Sequence, residues 1–127
     1  MARPAARDLT ERELEVMHVF WTQGDATAAE ARDRLAAGGL DRAYTTIATL
    51  VRLLHEKGYL QQLNRERPFR YRAGRSYEEV SGSLLGDVLQ RVFRGSREQL
   101  LVRLVERRKL TAPERAVLED LLKEPGQ

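Results

Sequence analysis

The sequence contains no cysteine among its 127 residues, which excludes disulfides and thiolate metal sites. No apolar run approaches the ~18 residues that a membrane-spanning helix needs. The opening MARPAARD lacks the apolar core of a secretory signal. A soluble, cytoplasmic chain is expected, not a membrane protein. The two histidines, His18 and His55, fall on separate expected helices. No nucleophile–base pair, metal-ligand spacing or glycine-rich phosphate loop accompanies them. Catalysis is not expected, and no cofactor or metal is implied. Internal repeats and low-complexity segments are absent as well.

What is present is enough for one ordinary domain plus an appendage. Hydrophobic residues make up 42% of the chain, and the 32% of charged residues are mixed in sign, which argues against wholesale disorder. The net charge of +3 is unevenly spread: residues 1–41 carry −3, residues 42–75 carry +6 and residues 76–127 carry zero. A positive segment flanked by acidic and neutral ones is the electrostatic footprint of a polyanion-binding surface.

Helix starts are marked by S/T-x-x-E/Q patterns, in which the cap hydroxyl and the later side chain satisfy each other's backbone donors. They occur at Thr10/Glu13, Thr27/Glu30, Ser76/Glu79, Ser96/Gln99 and Thr111/Glu114. The first helix is expected over Thr10–Thr22, the second over Thr27–Ala37 and the third over Tyr44–Lys57, closed by Gly58. In the third, Ile47, Leu50, Val51 and Leu54 form the buried face and Thr45, Thr46, Thr49 and Arg52 the outer one. Threonine is a mediocre helix former, so this cluster suits hydrogen bonding to bases or phosphates. The apolar period then shortens to two. Leu60–Leu63 and Pro68–Arg72 read as a hairpin that gathers Arg65, Arg67, Arg70, Arg72 and Arg75 around its turn, with Phe69 and Tyr71 anchoring it.

Three helices followed by a basic ribbon give the layout of a winged helix-turn-helix. The fold class is therefore mostly α with a small β-ribbon. A flexible arm is expected at residues 1–8, a DNA-binding domain at 9–75 and a helical dimerisation domain at 76–127. The last domain comprises three helices, over Tyr77–Phe93, Arg97–Lys109 and Ala112–Lys123. Their apolar stripes hold Leu84, Leu85, Val88, Leu89 and Val92, then Leu100, Leu101 and Leu104, then Val117, Leu118, Leu121 and Leu122. About fifty residues scarcely make a self-sufficient core, and a second copy is the economical cover. Gly82 and Gly86 sit four apart in the first of these helices, either weakening it or allowing close helix approach. The competing reading is a winged helix used only for protein–protein contact. That would predict an acidic or apolar recognition surface, which the +6 segment opposes.

The runs LTERELEVMHVFW, AYTTIATLVRLLHEKGYL and FRYRAG resemble the penicillinase-repressor (BlaI/MecI) family over about residues 8–124. The resemblance implies a homodimeric repressor of an inverted-repeat, double-stranded DNA operator, controlling β-lactam-response or related genes. It implies that Tyr44 and Thr45 open the recognition helix, that Thr46 and Thr49 match its threonines, and that Arg70 and Arg72 lie on the returning wing strand. It also implies a membrane metalloprotease sensor as the inducing partner. Three departures stand out. The family's arginine precedes the leucine matched by Leu54, whereas Leu53 holds that slot here and the arginine is Arg52, about 100° around the helix. The family's Asn–Phe cleavage pair is matched by Arg103–Leu104, so the resemblance leaves open whether induction is proteolytic. The cysteine-rich tail of the copper-responsive branch has no counterpart.

Overall fold

The computed structural model describes residues 8–123; of the expected N-terminal arm, only Asp8 falls within them. In chain order the elements are α1 (Glu11–Gln23), β1 (Ala26–Thr27), α2 (Ala28–Ala37), α3 (Tyr44–Glu56), β2 (Leu60–Gln62), β3 (Arg70–Ala73), α4 (Tyr77–Arg91), α5 (Arg97–Arg107) and α6 (Ala112–Lys123).

Capping chemistry sets the helix starts. The Thr10 hydroxyl accepts from the Glu13 N–H at 3.1 Å, and the Glu13 carboxylate accepts from the Thr10 N–H at 2.8 Å. The same box closes α2 through Thr27 and Glu30, and α6 through Thr111 and Glu114. Ser76 and Ser96 accept from the N–H groups of Glu79 and Gln99 at the starts of α4 and α5. Helix α3 differs: its cap position is Ala43, which offers no side-chain acceptor. Gly58 ends the α3 turn with φ +88°, a backbone conformation that suits glycine.

The hairpin is part of a three-stranded antiparallel sheet in the order β1-β3-β2, with Ala26 opposite Tyr71 and Leu60 opposite Ala73. Strand β1 has no counterpart in the sequence reading. Two residues cannot show a period, and Thr27 already serves as the α2 cap. The strands are also shorter or shifted: β2 ends at Gln62 and β3 starts at Arg70, leaving Pro68 in the turn.

One core joins α1, α2, α3, the sheet and the start of α4. Val16, Met17 and Phe20 of α1, Ala31 and Leu35 of α2, and Ile47, Val51 and Leu54 of α3 close against Tyr59, Leu60 and Tyr71. Val80 of α4 is buried in the same cluster, and Leu84 packs partly against it. The chain divides into two compact units within α4, after Gly86, so the packing of the first unit runs past the expected boundary at residue 75. A side chain at Gly82 or Gly86 would meet open space. In the second unit neither α5 nor α6 contains a buried residue. No described helix is long and apolar enough to cross a membrane.

Arg75 corrects the picture of five arginines around the wing turn. It is 7% exposed, its guanidinium lies 4.9 Å from the centre of the Tyr59 ring, and it pairs with Glu79 at 2.9 Å. Its carbonyl accepts from the Trp21 indole N–H at 2.9 Å. Arg75 thus fastens the start of α4 to α1 and the sheet. Its place after Gly74, at the end of β3, turns it inward; Gly74 itself approaches the Gly58 carbonyl so closely that a Cβ would lie 3.2 Å from it.

Candidate nucleic-acid interface

Helix α3 presents two distinct surfaces. Ile47, Val51 and Leu54 are buried, and Thr45, Thr46, Thr49 and Arg52 are exposed. At about 100° per residue, Thr45, Thr49 and Arg52 form one outward stripe and Thr46 stands on its flank. Tyr44, at the first helical position, is 49% exposed. Arg52 pairs with Glu56 one turn on, at 3.0 Å, with both side chains more than half exposed. Such a pair is weak in solvent, so Arg52 is available for exchange to a stronger anion.

The wing turn is organised by Asn64. Its carbonyl oxygen accepts from the Arg70 N–H at 2.8 Å, and its amide donates to the carbonyls of Glu66 and Pro68. The Gln62 side chain donates to the backbone carbonyl of Asn64 at 2.7 Å. An asparagine between two strands is the turn signal that could have located this device from sequence. Around it, Arg65, Arg67 and Arg72 are exposed. Arg67 lies 5.2 Å from the centre of the Phe69 ring, and Arg72 donates to the Gln61 side chain at 2.9 Å. Tyr71 points into the core and lies 5.7 Å from His55; burial pushes its phenol pKa up.

Arg70 is held differently from its neighbours. It pairs with Glu30 of α2 at 3.2 Å and donates to the Asp25 carbonyl at 3.5 Å. Glu30 is the capping-box carboxylate of α2. Its pKa is lowered first by the N–H of Thr27 and also by Arg70. Nothing in the sequence pattern couples residues 30 and 70; the β1–β3 pairing, with Thr27 opposite Arg70, brings them together.

Between α3 and the wing runs a cleft of about 620 Å³, lined by Tyr44, Thr49, Arg52 and His55 on one side and Gln62, Arg67, Phe69 and Tyr71 on the other. The surface therefore combines short hydroxyl side chains, which donate and accept at base edges, with planar guanidinium groups suited to phosphate oxygens. Sequence reading also missed Arg42, which precedes α3 and grips Glu15 of α1.

The second candidate surface is the apolar one. Leu85, Val88 and Val92 of the α4 region, Leu101 and Leu104 of α5, and Val117, Leu118, Leu121 and Leu122 of α6 are exposed, up to 76% for Leu122. Leu89 and Leu100 are half-buried, and Leu84 is the one of the set that packs against the first unit's core.

Comparison with known proteins identifies the family. The family described as penicillinase repressor matches residues 9–124. Transcriptional regulator BlaI of Mycobacterium tuberculosis strain CDC 1551 is 30% identical over 100 residues, which cover 78% of this chain and 72% of the relative. The protein of the same description from strain H37Rv gives the same figures. Among solved structures, the complex structure of hsRosR-S1 covers 94% of this chain and 93% of its own at 16% identity, with a TM-score of 0.54. That likeness concerns the fold alone.

Proposed function

The chain belongs to the penicillinase repressor family of transcriptional regulators, which are not enzymes, and from that premise we propose that it binds an inverted-repeat DNA operator as a homodimer and represses the adjacent genes. The observation that carries the reading is the exposed Thr45–Thr49–Arg52 stripe on α3, bordered by the exposed wing arginines Arg65, Arg67 and Arg72. Helix α3 supplies sequence reading in the major groove, and the wing holds neighbouring phosphates. The apolar faces of α4–α6 join two copies, so that two recognition helices meet two half-sites. The family's description makes genes of the β-lactam response the first targets to examine. Arg103 and Leu104, at the position of the family's cleaved pair, are exposed within α5; a protease acting there would need the helix to unwind locally.

Selection of bound fragments from random DNA tests the reading. The wild-type chain should enrich a two-fold symmetric motif. Thr49→Ala should change the preferred base at one or two positions in both half-sites, costing roughly 1–3 kcal/mol on the operator while binding to random DNA barely moves. An identical motif from the variant would take Thr49 out of base reading. No enrichment by the wild type would overturn the DNA-binding assignment.

A further inference from the structure

We infer that Glu15 and Arg42 are a positioning pair that sets how α3 is presented to the groove, an assignment that rests on the DNA-binding reading above. Arg42 stands two residues before α3, in the turn from α2. Its guanidinium forks onto Glu15 of α1: Nε donates to Oε1 at 3.3 Å, and Nη2 donates to Oε1 at 3.2 Å and to Oε2 at 3.1 Å. The side chains are 23% and 21% exposed, against 60% and 56% for the loose Arg52–Glu56 pair. A two-pronged contact of this kind fixes direction as well as distance.

The recognition helix needs such a device because it lacks a local one. Helices α1, α2, α5 and α6 each begin on a Ser or Thr side chain that accepts a backbone N–H, whereas Ala43 gives α3 no side-chain acceptor. Its start is located from outside, by the bond from Arg42 to α1. The far end is held by the same helix: Lys57, the last cap of α3, donates to Glu13 at 3.0 and 2.9 Å. The two attachments differ in consequence. Glu13 is almost fully buried and also closes the α1 cap, so its loss strikes folding. Glu15 lies at the rim, where the domain can lose a contact and still fold.

Placement matters here because the proposed readers are short. A threonine hydroxyl reaches a base edge only from a helix set to within about 0.5 Å of its working position, and Thr45 stands only three residues beyond Arg42.

Two roles for Arg42 make opposite predictions for Glu15→Gln, which keeps side-chain size and removes the carboxylate charge. If the pair positions α3, Glu15→Gln lowers the ratio of operator to random-DNA affinity by about tenfold, the effect of one lost specific contact. Random-DNA binding then stays within about twofold, because the phosphate contacts remain. Adding Arg42→Gln to Glu15→Gln should lower the ratio little further, since both changes break one interaction. The exchange Glu15→Arg with Arg42→Glu should recover part of the ratio. Thermal melting followed alongside should move little for Glu15→Gln.

If Arg42 is instead a phosphate ligand that Glu15 restrains, Glu15→Gln strengthens binding to operator and random DNA alike, and the inference is overturned. An operator preference untouched by Glu15→Gln overturns it as well, with the DNA-binding reading intact. A wild-type chain with no preferred sequence removes that reading and the positioning role together. Should Glu15→Gln fail to fold, the charge exchange decides the matter: a folded exchange variant with no recovered preference counts against the pair.

Discussion

The two units of this chain use the same residue types to opposite effect. In the first, Val16, Met17, Ile47, Val51, Leu54 and Tyr59 are each 1% exposed or less. In the second, Leu101, Leu104, Val117 and Leu121 are all more than half exposed, and α5 and α6 bury nothing. Leucine and valine occur in both, although every tyrosine, the tryptophan and the isoleucine lie in the first unit. The difference lies in what covers each apolar stripe. In the first unit three helices and a sheet close on one another around a shared interior. In the second, the helices carry stripes for which the chain provides no cover among the described residues. Exposed apolar residues of this kind are a common feature of interaction sites, and a second copy with the same stripes is the cover proposed above.

The comparison can be broken most forcefully at the stripes themselves. Leu104→Glu with Leu121→Glu places two charges on the proposed dimer face and touches no buried residue. The variant should remain folded by circular dichroism and sediment as a monomer at about 10 μM, a concentration above ordinary homodimer dissociation constants. Operator affinity should fall by about a hundredfold or more, because the second half-site loses its tether. A variant that still dimerises would show that these faces are not the interface. Val51→Glu, by contrast, buries a charge without a partner and should abolish folding of the first unit.

A second contrast lies between ion pairs. Lys57→Met leaves the Glu13 carboxylate buried with only its cap bond, and should cost about 3 kcal/mol of stability, read as a lowered midpoint in urea. Arg52→Met breaks an exposed pair of similar length and should cost less than about 0.5 kcal/mol. Equal losses would mean that burial of Glu13 does not govern the first pair.

These pairs also show what the sequence could and could not reveal. Helix starts were legible because capping is local: Thr10, Thr27 and Thr111 bond residues three positions away, and the pattern is written in one short window. The buried face of α3 was legible for the same reason, through its helical period. What escaped was contact between distant windows. Nothing near Arg75 announces that it will lie over Tyr59 and receive Trp21 on its carbonyl. Nothing near Arg42 announces Glu15, and a two-residue strand leaves no periodic trace. The exposure of candidate residues was thus legible wherever their place on an element sufficed, as at Thr49 and Arg72. The partners that orient the elements, such as Glu15 and Glu30, had to wait for the fold.

The smallest expected effect separates two arginines that alternate with Tyr71 on one strand. Arg72 is exposed and bonded to a neutral amide, so it is free to meet phosphate; Arg72→Ala should reduce the log–log salt slope of DNA binding by about 0.9. Arg70 is already engaged by Glu30 and the Asp25 carbonyl, so Arg70→Ala should change the slope less. Glu30→Gln should release Arg70 and steepen the slope. Equal losses from Arg70→Ala and Arg72→Ala would show that Arg70 leaves Glu30 when DNA arrives. Acidity offers an independent handle on the same contact. The Glu30 carboxyl is held below its ordinary range, first by the Thr27 N–H and then by Arg70. Its contribution to stability is therefore fully present above the ordinary glutamate pKa and is lost as pH falls through the lowered value of the folded state. Wild type and Glu30→Gln should accordingly differ in melting temperature at neutral pH and converge once the medium is more acidic than that lowered value. A difference that persists unchanged into acid would mean that the Glu30 charge plays no part in pinning the wing.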